Sequence, residues 1–316
     1  MDQDKKKLYD EFFSSVYYGE LESVQKFLDD GINPNIWRDI NYRPALCIAC
    51  DKKHFKVAEL LLAAGAEPNV LDEAFPQSKT PLDITCKNGH LEFTKTLLSA
   101  GADVNKGQSL SIACGTHNYV IVKLFLKIPD IDVNVRSDGA KTALMYASEY
   151  GKSDIVQLLL NKGADPNILD KDGNSALTLV CKRTKRRLGI AKMLLKAGAN
   201  PSHIDNEGYS AIVIASMHII HHKNDIISEL LKAGADPNHI TVTRYNQIYT
   251  TLYSAIKRVN EDMLKMLLEA GADPNIIDVH GNSPLTVALG YQGKPNLNIV
   301  RLLLSAGADP NHRFHG

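Results

Sequence analysis

Apolar pairs recur along this chain at nearly even intervals: Phe27-Leu28, Leu61-Leu62, Leu97-Leu98, Leu159-Leu160, Leu194-Leu195, Leu230-Leu231, Leu267-Leu268 and Leu303-Leu304. Val57, Ile190, Ile226, Met263 and Ile299 stand one turn upstream of their pairs. Together they make the i, i+3, i+4 stripe of an amphipathic helix. Each pair is followed by a phrase whose fullest form is Gly234-Ala-Asp-Pro-Asn238. Its copies end at residues 35, 69, 105, 134, 167, 202, 238, 275 and 311, and only Asp130-Ile-Asp-Val-Asn134 lacks the glycine. Glycine at that place predicts a helix stop, because it enters the left-handed region at little cost.

A second short apolar segment precedes each of these helices. It opens with Ser, Thr or Pro, then a small residue, then Leu or Ile, as in Pro44-Ala-Leu46, Thr80-Pro-Leu82, Thr142-Ala-Leu144, Ser175-Ala-Leu177, Ser210-Ala-Ile212 and Ser283-Pro-Leu285. A hydroxyl cap followed by proline is a helix start. Alanine three residues after the leucine, as at Ala49, Ala147 and Ala288, leaves room for helices to stack closely. The unit is therefore helix, tight turn, helix, glycine stop and an extended connection, and its copies are 29 to 37 residues apart.

This unit resembles the ankyrin repeat, whose period and Thr-Pro-Leu opening it shares. The resemblance runs from about Leu8 to Asn311, although no copy carries the family's His after the leucine and the repeat at 107–134 has lost both glycine and threonine. It implies an all-α ankyrin-repeat solenoid of about nine helix-turn-helix repeats with hairpin-like finger loops. The expected domain is a single one over 1–316, with a capping repeat at 1–35, eight further repeats over 36–311 and a tail at 312–316. Two connections, 70–79 and 239–249, exceed their siblings, and the second has strand-like composition.

Charge and cysteine content narrow the function. The 36 basic and 36 acidic residues cancel, which removes the general electrostatic case for nucleic acid as the main partner. There is no apolar run long enough to cross a bilayer, and the charged start Met1-Asp-Gln-Asp-Lys-Lys-Lys7 has no apolar stretch behind it, so neither membrane insertion nor a secretory signal is expected. Cys50, Cys86, Cys114 and Cys181 each fall four residues after the leucine of a first helix, so they are expected as small core side chains. Cys47 and Cys50 form a C-x-x-C with no second pair at zinc spacing. A reducing, cytoplasmic setting follows, or the cytosol of a host cell if the protein is an effector exported by an intracellular bacterium.

No nucleophile elbow, phosphate-binding loop or H-E-x-x-H motif is present. The expectation is a non-enzymatic, monomeric module with no cofactor, metal or small-molecule substrate, binding another protein as scaffold, adaptor or inhibitor. His218, His221 and His222 share a spacing that suits a metal, but the segment offers no acidic or cysteine ligand except Asp225 and sits at a helix end, so no metal is expected there.

Partner-binding candidates come from two places. The fingers supply Trp37, Tyr42, Phe75, Arg244 and Tyr245, aromatic or arginine side chains of the kind that anchor interfaces. The exposed ends of the first helices supply Tyr150, Lys182, Arg183, His218, Lys257, Arg258 and Tyr291. With Asp170, Asp172, Asp205, Glu207 and Asp278 on the finger tips, these residues predict a basic floor beneath an acidic rim. Two alternatives remain at this point: a polyanion or nucleic-acid binder using the run Lys182 to Arg187, and a targeting module cut from a larger multidomain enzyme.

Overall fold

The computed structural model describes residues 3–36, 43–74, 78–183, 187–217, 223–242, 248–278, 281–290 and 295–312. Among these residues it has eighteen α-helices and one two-stranded ribbon, and the chain divides into two compact units. Unit 1 comprises residues 1–147 with 161–164, and unit 2 comprises 148–160 with 165–316.

In unit 1 the helices are α1 (Gln3–Tyr18), α2 (Leu21–Asp29), α3 (Ala45–Lys52), α4 (Phe55–Ala63), α5 (Pro81–Asn88), α6 (Leu91–Ser99), α7 (Ser109–Gly115) and α8 (Tyr119–Phe125). The unit boundary falls inside α9 (Ala143–Tyr150). Odd-numbered helices stack α1 on α3, α3 on α5 and α5 on α7, and each also packs on the helix that follows it. Cys47, Cys50, Cys86 and Cys114 lie in this layer with no exposure. Burial pushes the Cys50 thiol up to about 12.

Unit 2 repeats the arrangement with α10 (Ser153–Asn161), α11 (Ala176–Lys182), α12 (Leu188–Lys196), α13 (Ala211–Met217), α14 (Lys223–Lys232), α15 (Thr251–Lys257), α16 (Glu261–Glu269), α17 (Pro284–Gly290) and α18 (Leu297–Ser305). Here α11, α13, α15 and α17 form one layer, and α12, α14, α16 and α18 the other. The apolar stripe read from the sequence is the core, since Leu194, Leu230, Leu267 and Leu303 are fully buried.

The predicted stops are glycines held at φ of 87–91° at 31, 65, 101, 163, 198, 234, 271 and 307. After six of these eight stops an asparagine ties two repeats together. Asn238 Nδ2 donates to Gly271 O at 3.0 Å and its Oδ1 accepts from Asp273 N at 2.7 Å. Asn35, Asn69, Asn105, Asn167 and Asn275 make the same pair of bonds. Ser202 is shorter: its hydroxyl reaches Gly234 O at 3.3 Å and makes no bond to Asp236 N.

The degenerate repeat is repaired from its neighbour. Thr80 caps α5 in a reciprocal box with Asp83. Asp83 also accepts from Gln108 N at 2.9 Å and from the Ser109 hydroxyl at 2.6 Å, so it caps α7, whose own Gln108 supplies no side-chain cap. Asp83 occupies the place after the leucine where the family's His would stand. Burial raises its pKa, against the bonds from Ser109, Thr80 and Gln108.

Candidate functional surface

The fingers of unit 2 begin with a carboxylate. Asp170 Oδ1 accepts from Asp172 N at 3.0 Å and Asn174 N at 2.8 Å, while Asp170 N donates to Asn174 O at 2.9 Å. Asp205 makes the same turn with Glu207 N, Tyr209 N and Tyr209 O. Asp278 and Asn282 close a third. An Asp followed three residues later by glycine is a turn sequence because the side chain satisfies the backbone locally and glycine takes φ > 0. The connection with strand-like composition pairs Thr241–Val242 with Ile248–Tyr249, Thr241 opposite Tyr249.

Successive fingers are bonded to one another. His203 Nε2 donates to Gly173 O at 2.7 Å, His239 Nε2 to Gly208 O at 2.9 Å and His312 Nε2 to Gly281 O at 2.8 Å. Asn206 N donates to Asp172 O at 3.2 Å. A Cβ on Gly173 would meet Asn206 at 2.4 Å, so glycine is needed there for close approach as well as for φ.

These bonds overturn part of the expected rim. Asp170 and Asp205 are 6% and 4% exposed, because their carboxylates are consumed in building the turns; Asp172 and Glu207 are the exposed acidic residues. The expected basic floor is also largely engaged. Lys182 Nζ lies 2.9 Å from Asp205 Oδ2 and donates to Asn174 Oδ1 at 2.6 Å, bracing one finger against the next. Arg183 pairs with Glu149, and Arg187 donates to the carbonyls of Ser148 and Glu149 at the C-terminus of α9. Burial and the neighbouring Arg183 hold the Arg187 pKa below its usual value. The three described basic residues of the 182–187 run are thus turned onto their own chain, which weighs against a polyanion patch there.

Tyr150, Lys257 and Arg258 are exposed in unit 2, and Arg258 donates to the Met217 carbonyl. Trp37, Tyr42, Phe75, His218, Arg244, Tyr245 and Tyr291 lie outside the described residues. So do His221 and His222, the remaining members of the histidine cluster.

One feature was passed over in favour of charged and aromatic residues. Ile204, Ile240 and Ile277 each stand two residues after the last residue of the repeated phrase, and they are 46%, 42% and 48% exposed; Val242 is 54% exposed. The signal was present in the sequence as an isoleucine at steps of 36 and 37 residues in a polar loop. The neighbouring His203 and His239 point back to the preceding finger.

A family model described as ankyrin repeats (3 copies) matches residues 12–108, 105–170, 144–241 and 217–313. The chain belongs to the ankyrin-repeat family. The YahD ankyrin repeat protein of Escherichia coli (strain K12) is 29% identical over 188 residues, which is 56% of this chain and 92% of that protein. Alpha-latrocrustotoxin-Lt1a of Latrodectus tredecimguttatus is 29% identical over 188 residues, 54% of this chain but only 13% of the toxin. The solved human ASB11 ankyrin repeat domain is similar in fold, with a TM-score of 0.56 over 72% of this chain and 98% of that domain at 22% identity. The ankyrin repeat is a general protein–protein interaction fold and is typically non-enzymatic. No helix among the described residues is long and apolar enough to cross a membrane.

Proposed function

We propose that this ankyrin-repeat chain is a monomeric, non-enzymatic binding module that engages a partner protein through the fingers of unit 2 and the nearby exposed ends of its first helices. The observation that carries this reading is the row Ile204, Ile240 and Ile277, large aliphatic side chains held in water at one register position on the fingers, with Val242 exposed beside Ile240. Single exposed aliphatics are ordinary, but a periodic row on a rigid frame is an interaction surface. Tyr150, Lys257 and Arg258 supply the polar and aromatic edge of that surface, while Lys182 braces one finger against the next and the exposed Arg183 pairs with Glu149 of α9. Binding by such a module suits a scaffold, an adaptor or a competitive inhibitor.

The test is affinity capture with wild-type protein beside an Ile204→Asp, Ile277→Asp double variant whose helicity is unchanged by circular dichroism. Loss of the captured protein by about tenfold or more is the expected result, on the scale of buried aliphatic anchors. Equal recovery by both proteins removes the finger row as the binding surface.

A further inference from the structure

We infer that the finger row of unit 2 receives an amphipathic helix of the partner, with aliphatic side chains seven residues apart and basic residues flanking them. This inference rests on the protein-binding reading and adds the shape and chemistry of what is bound.

Spacing carries the first step. Ile204, Ile240 and Ile277 occupy one register position in three consecutive repeats, and the helices beneath them, α13, α15 and α17, pack one on the next. Packed helices lie about 8–10 Å apart, so the row offers an apolar side chain roughly every 10 Å. Along an α-helix seven residues advance about 10.5 Å and complete almost two turns, which returns the side chain to the same face. An extended strand returns to the same face every two residues, about 6.6 Å, and falls out of step with the row after one repeat. A helix therefore meets each isoleucine with an equivalent side chain, and a strand does not.

Charge fixes what flanks the stripe. The exposed acidic residues Asp172 and Glu207 stand three residues beyond Leu169 and Ile204 on their fingers, whereas the Asp278 carboxylate accepts from Asn282 within its own turn. Among the described residues of these fingers, Lys171 is the exposed basic residue beside them. Among the described residues the exposed finger edge is acidic on balance, so the matching helix carries Lys or Arg next to its aliphatic stripe.

The probe is a synthetic helical peptide with leucine at every seventh position over three heptads and lysines flanking that stripe, followed by fluorescence anisotropy on the full chain. Two control peptides keep the composition: one moves the leucines to a five-residue spacing, and the other carries two central prolines. The expected result is binding of the heptad peptide at least about tenfold tighter than either control, and a loss of about tenfold or more in an Ile204→Ser, Ile277→Ser variant. Equal binding of all three peptides, absence of binding, or insensitivity to the variant overturns the helix inference. Should the proline peptide bind best, the row takes an extended segment instead. In every such case the reading as a protein-binding surface stands or falls separately, on whether the captured partner is lost with Ile204→Asp, Ile277→Asp.

Discussion

Two residues carry costs that a single substitution should relieve. Val259 has φ of 53° and is 51% exposed, where its repeat calls for a residue that tolerates the left-handed turn. A β-branched side chain in that region is strained by about 1–3 kcal/mol. Val259→Gly is expected to raise the stability of unit 2 by about 1 kcal/mol in urea unfolding, after the entropy lost to glycine is deducted. Ser202 makes one bond where its counterparts make two. Ser202→Asn should restore the missing bond to Asp236 N and add about 0.5–1.5 kcal/mol, read in the same way. Neither position stood out in the sequence, because a turn's φ and a ladder's second bond exist only once two repeats are stacked.

Among the elements, α7 tests how a decayed repeat survives. Its N-cap position holds Gln108 in place of the usual hydroxyl, and the cap comes from Asp83, 25 residues earlier. Asp83→Ala should leave the buried Ser109 hydroxyl and the first amides of α7 unpaired and cost about 1–3 kcal/mol. The pH dependence has a definite sign. Burial raises the folded-state pKa of Asp83, so the folded chain holds its proton where the unfolded chain has lost it. Its contribution is therefore fullest below the ordinary carboxylate range and falls as pH rises through the raised value. The stability difference between wild type and Asp83→Ala should accordingly shrink from about pH 3 to 7, and a difference that grows with pH would contradict this assignment. The helices themselves were legible from the stripe, the caps and the glycines, since these depend on residues three or four apart. Partnership across repeats was not.

At the scale of the whole molecule, the proposal that residues 1–316 act as one repeat domain predicts one calorimetric unfolding transition, shifted by substitutions in either unit, because repeats are coupled to their neighbours. Balanced charge and the pairing of Lys182, Arg183 and Arg187 with groups of their own chain predict weak heparin retention, with elution below about 0.15 M salt. Strong, steeply salt-dependent retention would restore the polyanion reading. The sequence by itself determined the family, the number and type of helices, the stops and the place of the cysteines, because each is written in local periodicity that recurs in every copy. Only the tertiary structure decided which charges are available. Asp170, Asp205, Lys182 and Arg183 look in sequence like exposed charges and are spent on turns and braces, whereas Ile204, Ile240 and Ile277 look like core and stand in solvent. The physical reason is that exposure is settled by what covers a side chain in the folded chain: Asp170 and Asp205 close turns with residues two to four positions on, while Lys182 meets Asp205 and Arg183 meets Glu149 across repeats, beyond the reach of a short-range pattern.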